Sequence, residues 1–424
     1  MRILAFVTDA FGGHGGIAKF NRDLLTALCF DPRVASVVAL PRVMASAFKG
    51  PWPDKLDWRA HAVGGKFCYL WEILRLLARP GSQARPDLVV CGHLNLLPLA
   101  SLAARRWRVP LWQILHGIEA WQPPSRRVTR RALRYIDRLI VVSQCTHDRF
   151  VAWSGLNSVP WVLLPNCVDL AAYGPGPKLS DLLSRYRLHG AKVIMTLGRL
   201  SSAERYKGFD EVLEVMPQLT KQTPNLCYLI CGDGDDRPRL VAKARALGCE
   251  VVEVSHSASN GEGPDATLSA QRGGRGAGGE VGEVPKSDPS RSQPSTLNHQ
   301  PTTPRVVFTG QIPEAEKADH FRLADAFVMI GRGEGFGIVY LEALACGIPV
   351  VASTADASRE AVRDGELGEL ANPDDPADIV RALDAVLKRP RGDAPTGLKH
   401  FTFGKFQERC TALLGFADLR KKTE

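Results

Sequence analysis

The residues best suited to chemistry lie in one run, Gly331 to Val351: Gly-Arg-Gly-Glu-Gly-Phe-Gly-Ile-Val-Tyr-Leu-Glu-Ala-Leu-Ala-Cys-Gly-Ile-Pro-Val-Val. The pattern predicts a strand end, a Gly-rich loop, a helix over Ile338–Ala345, a Gly stop and a new strand. The loop glycines let backbone N–H groups approach a ligand closely. The helix N-terminus behind them suits phosphate. Glu334 falls in the loop, and Glu342 about one turn into the helix, facing the same mouth. Two carboxylates repel a diphosphate, so they call for a second kind of partner. Carboxylates are strong acceptors for vicinal hydroxyls. A ligand with both a diphosphate and several hydroxyls is a nucleotide sugar.

These residues need a frame that brings loops to one mouth. Residues 2–8 are apolar and run into Gly12-Gly13-His14-Gly15-Gly16, and a helical pattern follows at Ile17, Phe20, Leu24, Leu25 and Leu28. Residues 193–197 repeat the theme, ending at Gly198-Arg199, with a helix from Phe209 to Leu219. Further strands are expected near Val34–Leu40, Leu88–Val90, Leu111–Leu115, Leu139–Val142 and Trp161–Leu164. In the second half they are expected near Leu226–Ile230, Val306–Phe308, Ala326–Met329, Val350–Ala352 and Gly368–Leu370. Helices such as Asp236–Leu247 and Pro376–Leu387 alternate with them. Repeated β-then-α order implies an α/β fold with parallel sheets covered on both faces. Two such units imply two Rossmann-like domains facing a central cleft. Residues 1–170 form the first, 171–190 a linker around Tyr173-Gly-Pro-Gly-Pro177, and 191–390 the second. Residues 391–424 hold a C-terminal helix (about 395–415) and tail that cross back to the first domain. Residues 257–304 are rich in Gly, Ser, Pro, Gln and Thr and hold no aromatic residue. Such a stretch is expected to be a disordered insertion.

Composition narrows the function classes. The 424 residues hold 45% hydrophobic and 23% charged residues, the balance of a globular enzyme. No run nears the roughly 20 apolar residues of a spanning helix, and the apolar N-terminus reads as a buried strand. The ten cysteines show no zinc-site spacing and read as reduced thiols of a cytoplasmic protein. Residues 1–170 hold 22 Lys and Arg against 11 Asp and Glu, so they carry more than the whole net charge of +9. All eight tryptophans, Trp52 to Trp161, lie there too. The run Arg126-Arg-Val-Thr-Arg-Arg-Ala-Leu-Arg134, with Arg105-Arg-Trp-Arg108, reads either as a solvated helix face or as a peripheral contact with anionic membrane. No nucleic-acid motif accompanies it. Asp233-Gly-Asp235 mimics a metal-binding pair but is expected to form a turn and a helix N-cap.

Glu334-x7-Glu342, with Gly-Phe-Gly after the first Glu and Ala-Cys-Gly-x-Pro-Val after the second, resembles the signature of GT-B glycosyltransferases of family 4. Other stretches agree over nearly the whole chain apart from the insertion. Gly198-Arg199 with Lys207-Gly208 resembles the family's Arg…Lys pair, and His116-Gly117 its N-domain histidine. Pro165-Asn-Cys-Val-Asp169 resembles a Pro-Asn-Gly-Val-Asp turn, with Cys167 replacing Gly. Gly232-Asp-Gly234 and the Gly12–Gly16 loop match as well.

The resemblance implies a retaining hexosyltransferase that takes a GDP- or UDP-linked sugar and serves a glycan or lipid-linked acceptor in polysaccharide or glycolipid biosynthesis. Arg199 and Lys207 would bind the donor diphosphate and stabilise the leaving group. Glu342 would bind the ribose. Glu334 and the amides of Gly335, Phe336 and Gly337 would hold the transferred sugar, His116 would sit near the reacting carbon, and Gly15 and Gly16 would approach the diphosphate from the other domain. No metal and no cofactor beyond the nucleotide sugar is expected, since the two cations take the charge. Other readings stay open: an epimerase or sugar phosphorylase on the same fold, or a non-catalytic nucleotide-sugar-binding module. A dinucleotide oxidoreductase is disfavoured because Gly12–Gly16 lacks Gly-x-Gly-x-x-Gly spacing.

Overall fold

The computed structural model describes residues 1–48, 50–78, 85–254 and 303–420. Its first half builds one parallel sheet from β1 (Arg2–Val7), β2 (Ser36–Pro41), β3 (Leu56–Trp58), β4 (Leu88–Cys91), β5 (Leu111–Leu115), β6 (Arg138–Val141) and β7 (Trp161–Leu163). The helices between them are α1 (Gly16–Phe30), α2 (Lys66–Ala78), α3 (Leu97–Trp107), α4 (Arg127–Ala132) and α5 (Gln144–Ser154). After α6 (Ser180–Arg185), a second parallel sheet forms from β8 (Lys192–Leu197), β9 (Leu226–Cys231), β10 (Glu250–Glu253), β11 (Arg305–Gly310), β12 (Ala326–Val328), β13 (Val350–Ser353) and β14 (Glu369–Ala371). Its helices are α7 (Phe209–Gln222), α8 (Arg237–Ala246), α9 (Lys317–Leu323), α10 (Ile338–Ala345), α11 (Ser358–Ala361) and α12 (Pro376–Leu387).

The strand orders are β3-β2-β1-β4-β5-β6-β7 and β10-β11-β9-β8-β12-β13-β14. Each sheet therefore reverses direction beside its first strand, between β1 and β4 and between β8 and β12. In open α/β sheets the crevice beyond the strand carboxyl ends at such a point is where ligands bind. The topology sends the loops after β1, β4, β8 and β12 to those crevices. Helices on both faces explain why β4 and β9 read as unbroken apolar runs and β5 as one broken only by Gln113: every residue of the three is buried.

The C-terminal helix α13 (Phe403–Arg420) packs on α1, with Phe20 and Phe406 edge to face at 5.6 Å. Arg33, just beyond α1, donates to the Thr411 carbonyl, and Val168 N donates to the Phe401 carbonyl at 2.8 Å.

The edge strands β3 and β10 were not expected from the sequence. They are short (Leu-Asp-Trp and Glu-Val-Val-Glu), charged and only part-buried, so they lack the buried-strand pattern. The helix expected over Asp236–Leu247 starts at Arg237, and its N-cap is Asp236 rather than Asp233 or Asp235. Asp236 makes no side-chain cap there, because its carboxylate accepts from Arg205 and Arg239 instead. Of the expected insertion 257–304, residues 257–302 lie outside the described residues. Pro304 leads into β11, and its carbonyl accepts from Glu250 N at 2.8 Å.

Candidate functional site

The Gly-rich loop after β12 is held by its backbone. Asp356 is buried, and its Oδ2 accepts from Glu334 N at 2.9 Å while Ala357 N donates to the Glu334 carbonyl at 3.1 Å. Ser358 in turn fixes Asp356, donating to Oδ1 from its N–H (3.0 Å) and its hydroxyl (2.6 Å). Gly337 caps α10 at φ +84°, a left-handed value that favours glycine, and a Cβ there would lie 2.5 Å from the Tyr340 ring. Phe336 turns its ring into the core against Phe401, so only its backbone faces the loop's ligand side. Tyr340 is buried and donates its hydroxyl to the Met329 carbonyl.

Glu334 itself is half-buried in this loop. Burial pushes its carboxyl up to about 7; Lys207 opposes that rise, and Asp356 and Glu204 add to it.

The two cations reach the same crevice from β8. Arg332 N donates to the Tyr206 carbonyl at 2.8 Å, which ties the 206–208 turn to the Glu334 loop. A Cβ on Gly208 would meet the Ile330 carbonyl at 2.2 Å, and one on Gly333 would enter the Tyr206 ring. Only glycine allows that approach. Gly232 and Gly234 press in the same way on the carbonyls of Gly198 and Leu200, which is the structural reason for the Gly-Asp-Gly turn. Lys207 lies along Gly198, with Nζ 3.7 Å from the position of a Cβ there. Both cations face one carboxylate: Glu204 Oε1 pairs with Arg199, and Oε2 lies 3.0 Å from Lys207 Nζ.

From the first sheet, β5 delivers His116 and Gly117. His116 Nε2 lies 2.9 Å from the Gly92 carbonyl. A carbonyl only accepts, so Nε2 carries the hydrogen and Nδ1 is the acceptor. Burial pulls the imidazole down to about 4, so it is neutral near pH 7. Phe20 stands edge-on to the ring at 5.1 Å. Glu119 Oε1 accepts from the backbone N–H of His116 (2.6 Å) and Gly117 (3.2 Å), which fixes this turn.

The two halves meet glycine to glycine. A Cβ on Gly335 would lie 2.0 Å from the His116 carbonyl oxygen, and one on Gly117 would lie 2.6 Å from Gly335 Cα. A second contact lies nearby. Glu360 of α11 accepts from the N-terminal amides of α5, Gln144 N at 2.7 Å and Cys145 N at 2.8 Å. Arg149 of α5 donates to the Ala355 carbonyl and stacks on Trp121, 3.9 Å from its ring centroid.

His116, Lys207, Arg199, Glu334 and Gly335 are thus gathered at one boundary. Gly15 and Gly16 stay open: both are exposed, no atom lies within 4 Å of where a Cβ would stand, and Gly15 caps α1 at φ +91°. His14 beside them is exposed too. Glu342 sits on α10, the helix that follows this loop. It is fully buried and ion-paired with Lys317 of α9, whose Nζ donates to Oε1 at 2.9 Å. The Tyr173 phenol is pushed up by burial and then by this carboxylate. Across the boundary, burial disfavours the Lys19 ammonium, but Asp23 (2.6 Å), Cys167 and Glu342 together raise it above its ordinary value. Sequence reasoning missed Glu204, Lys317, Glu119, Asp356 and Glu360. Asp356-Ala-Ser358 carried a local signal, an Asx-type turn. The others are set by tertiary approach.

Family models agree with this geometry. Residues 15–172 match "Glycosyltransferase Family 4", and residues 186–268 and 281–389 each match a model of "Glycosyl transferases group 1". The chain belongs to glycosyltransferase family 4. Among relatives, the transferase is similar to a GDP-mannose-dependent alpha-(1-6)-phosphatidylinositol monomannoside mannosyltransferase of Mycolicibacterium smegmatis. The two are 29% identical over 328 residues, 74% of this chain and 71% of the relative. It is also similar to a D-inositol 3-phosphate glycosyltransferase of Geodermatophilus obscurus, 28% identical over 68% of this chain and 56% of the relative. Among solved structures, Anabaena HepE in complex with UDP and glucose superposes with a TM-score of 0.65 at 17% identity, covering 98% of this chain and 99% of that one. The lipopolysaccharide outer core galactosyltransferase WaaB gives 0.63 at 16% identity, over 99% and 100%. These two show the GT-B fold of the transferase.

Proposed function

We propose that this glycosyltransferase moves a hexose from a GDP- or UDP-linked donor to a lipid-linked or glycan acceptor, with retention at the anomeric carbon. The observation that carries this reading is the convergence of Lys207, Arg199 and the Glu334 loop on His116 and Gly117. In this route the donor diphosphate lies against Arg199 and Lys207. The sugar lies over the Glu334 loop, and His116 Nδ1 accepts from one of its hydroxyls. The bond between the anomeric carbon and the diphosphate breaks while the acceptor oxygen bonds to that carbon on the same face. The acceptor's proton passes to the departing phosphate oxygen. Arg199 and Lys207 matter most because they face charge that grows in the transition state. They also bring the positive charge that a divalent ion would otherwise supply, so turnover is expected to survive EDTA.

The first relative's name, with GDP-mannose as its donor and a phosphatidylinositol monomannoside as its acceptor, supports a lipid-linked substrate. So does the surface. Among the described residues no helix is long and apolar enough to cross a membrane. Yet Phe67 (89% exposed), Leu70, Trp71 (69% exposed) and Leu74 form an exposed stripe on α2, with Lys66 and Arg75 beside it. The exposed arginines 105, 106, 126, 127, 130, 131 and 134 lie on α3, α4 and the turns flanking α4, and these helices pack into the same core layer as α2. Apolar and aromatic anchors flanked by cations suit an anionic bilayer at the cytoplasmic face.

The test is a thermal-shift panel of GDP-mannose, UDP-glucose and ADP-glucose on wild type, Lys207→Ala and Glu342→Ala. Stabilisation by one donor, weakened in both variants, supports the reading. No response to any nucleotide sugar would sink it. A response unchanged in Glu342→Ala alone would remove that residue's ribose duty.

A further inference from the structure

Glu204 is the unexplained carboxylate of the site. It stands between Arg199 and Lys207, the two cations that the proposed function gives to the donor diphosphate. Its side chain is only 16% exposed, and Oε2 is shut off from water. The Lys207 ammonium lies 3.0 Å from Oε2 but is not aligned for a hydrogen bond. The pair is therefore held by charge and not by directed bonding. The backbone is arranged for this. Glu204 is the one residue of the 202–207 turn outside helical geometry (φ −121°, ψ 29°). The turn is pinned on both sides of it: Ser202 N donates to Asp235 at 3.0 Å, and Arg205 donates to Asp236 at 3.0 Å. Glu204 thus projects from a fixed turn at a kink, and its side chain can swing without unfolding the turn.

We propose that Glu204 is a built-in competitor for the diphosphate seat: in the free enzyme its carboxylate occupies the place between Arg199 and Lys207, and the donor must displace it. This rests on the diphosphate reading of those two residues. A carboxylate and a phosphate present the same chemistry to Arg and Lys, oxygens that accept charge-assisted hydrogen bonds. Both cannot sit between the cations, because their own charges repel. The displacement cost is the same for every anion. It therefore empties the seat of weak ligands such as inorganic phosphate, and leaves it to a ligand that gains further contacts through its base and sugar. The same competition works in reverse after transfer, when Glu204 returns to the cations and hastens release of the nucleoside diphosphate. Before the donor binds, it keeps the two cations near one point, which limits the side-chain entropy that the donor must remove.

Pyrophosphate is the probe, titrated by calorimetry into the full chain as wild type, Glu204→Gln, Glu204→Ala, Lys207→Ala and the Glu204→Gln/Lys207→Ala double variant. Glu204→Gln and Glu204→Ala are each expected to bind pyrophosphate about tenfold more tightly than wild type, in the range of one charge-assisted hydrogen bond. That gain is expected to shrink in the Lys207→Ala background, where Arg199 alone is left to hold the carboxylate. The alanine variant separates loss of charge from any new contact of the glutamine amide, and circular dichroism checks that each variant is folded. Unchanged or weaker binding by both Glu204 variants, with wild type still binding, would overturn the proposal and make Glu204 a support of the seat. A gain that persists undiminished without Lys207 would overturn it too. If neither wild type nor Glu204→Gln bound pyrophosphate or GDP, the diphosphate reading would itself fall, and the proposal with it.

Discussion

Gly335→Ala is the sharpest perturbation the structure offers. The added Cβ would stand 2.0 Å from the His116 carbonyl oxygen, where ordinary contact needs more than 3 Å. The obstacle is backbone on both sides, since Gly117 Cα is only 2.7 Å from the same point. No rotamer change relieves it, and the loops must part by about 1 Å or more. Misplacement on that scale costs on the order of 100-fold in rate when it separates reacting groups. The cations and Glu334 belong to the second sheet's half and stay together, so donor affinity should change little, within about threefold. The assay pairs calorimetric donor binding with initial rates of transfer. A fall in kcat/KM of about 100-fold with near-normal donor Kd is expected. Turnover within about fivefold of wild type would refute the claim that the 116–117 turn and the Glu334 loop must touch during reaction. A parallel loss of donor binding would show instead that Gly335 serves the donor directly.

The same geometry sets the remaining expectations. Lys207→Ala should lower kcat by far more than it raises donor Kd, measured by steady-state kinetics and calorimetry; equal losses would contradict a transition-state role. His116 has its pKa pulled from 6.5 to about 4 by burial, so the fold holds it neutral. Its stabilising contribution is present above pH 6.5 and is lost as pH falls through 6.5 toward 4, and urea unfolding of His116→Phe should show a shallower acid loss than wild type. Glu334 has the opposite sign. Its carboxyl is raised from 4.5 to about 7, so the folded state holds the extra proton and stability falls as pH rises across that window. Glu334→Gln should flatten that slope in melts at about pH 5 and pH 8. Glu360→Ala removes the acceptor for two α5 amides and should widen the spread of interdomain distances measured by small-angle scattering, while leaving each half's melting within a few degrees.

The frame was legible because strands buried on both faces leave unbroken apolar runs, as in Leu88–Cys91, while surface helices show their period. The edge strands were not, because three or four part-charged residues carry no such pattern. Within the site, the glycines spoke plainly: Gly208 and Gly335 are where another chain segment passes too close for any Cβ, and Gly337 turns at positive φ against its own helix. Glu342 shows the limit of spacing. Helical periodicity aimed it at the same mouth as Glu334, but its position also faces α9, and Lys317, 25 residues earlier, meets it there. Glu204 was hidden for a similar reason, since only the fold of its kinked turn sets it between Arg199 and Lys207. On α2, Phe67, Leu70, Trp71 and Leu74 have the spacing of a core face, yet Tyr69, Glu72 and Ile73 are the buried ones. Sequence period finds a face but does not say what covers it.

The central claim is sugar transfer with retention at the site where Lys207, Glu334 and His116 converge. It is tested most directly by proton NMR of the product made from GDP-α-mannose and a phosphatidylinositol mannoside acceptor in lipid vesicles, with Lys207→Ala alongside. An α-linked hexose on the acceptor, formed by wild type and nearly absent with Lys207→Ala, is the predicted result. A β-linked product, or equal transfer by the Lys207→Ala variant, would contradict the account.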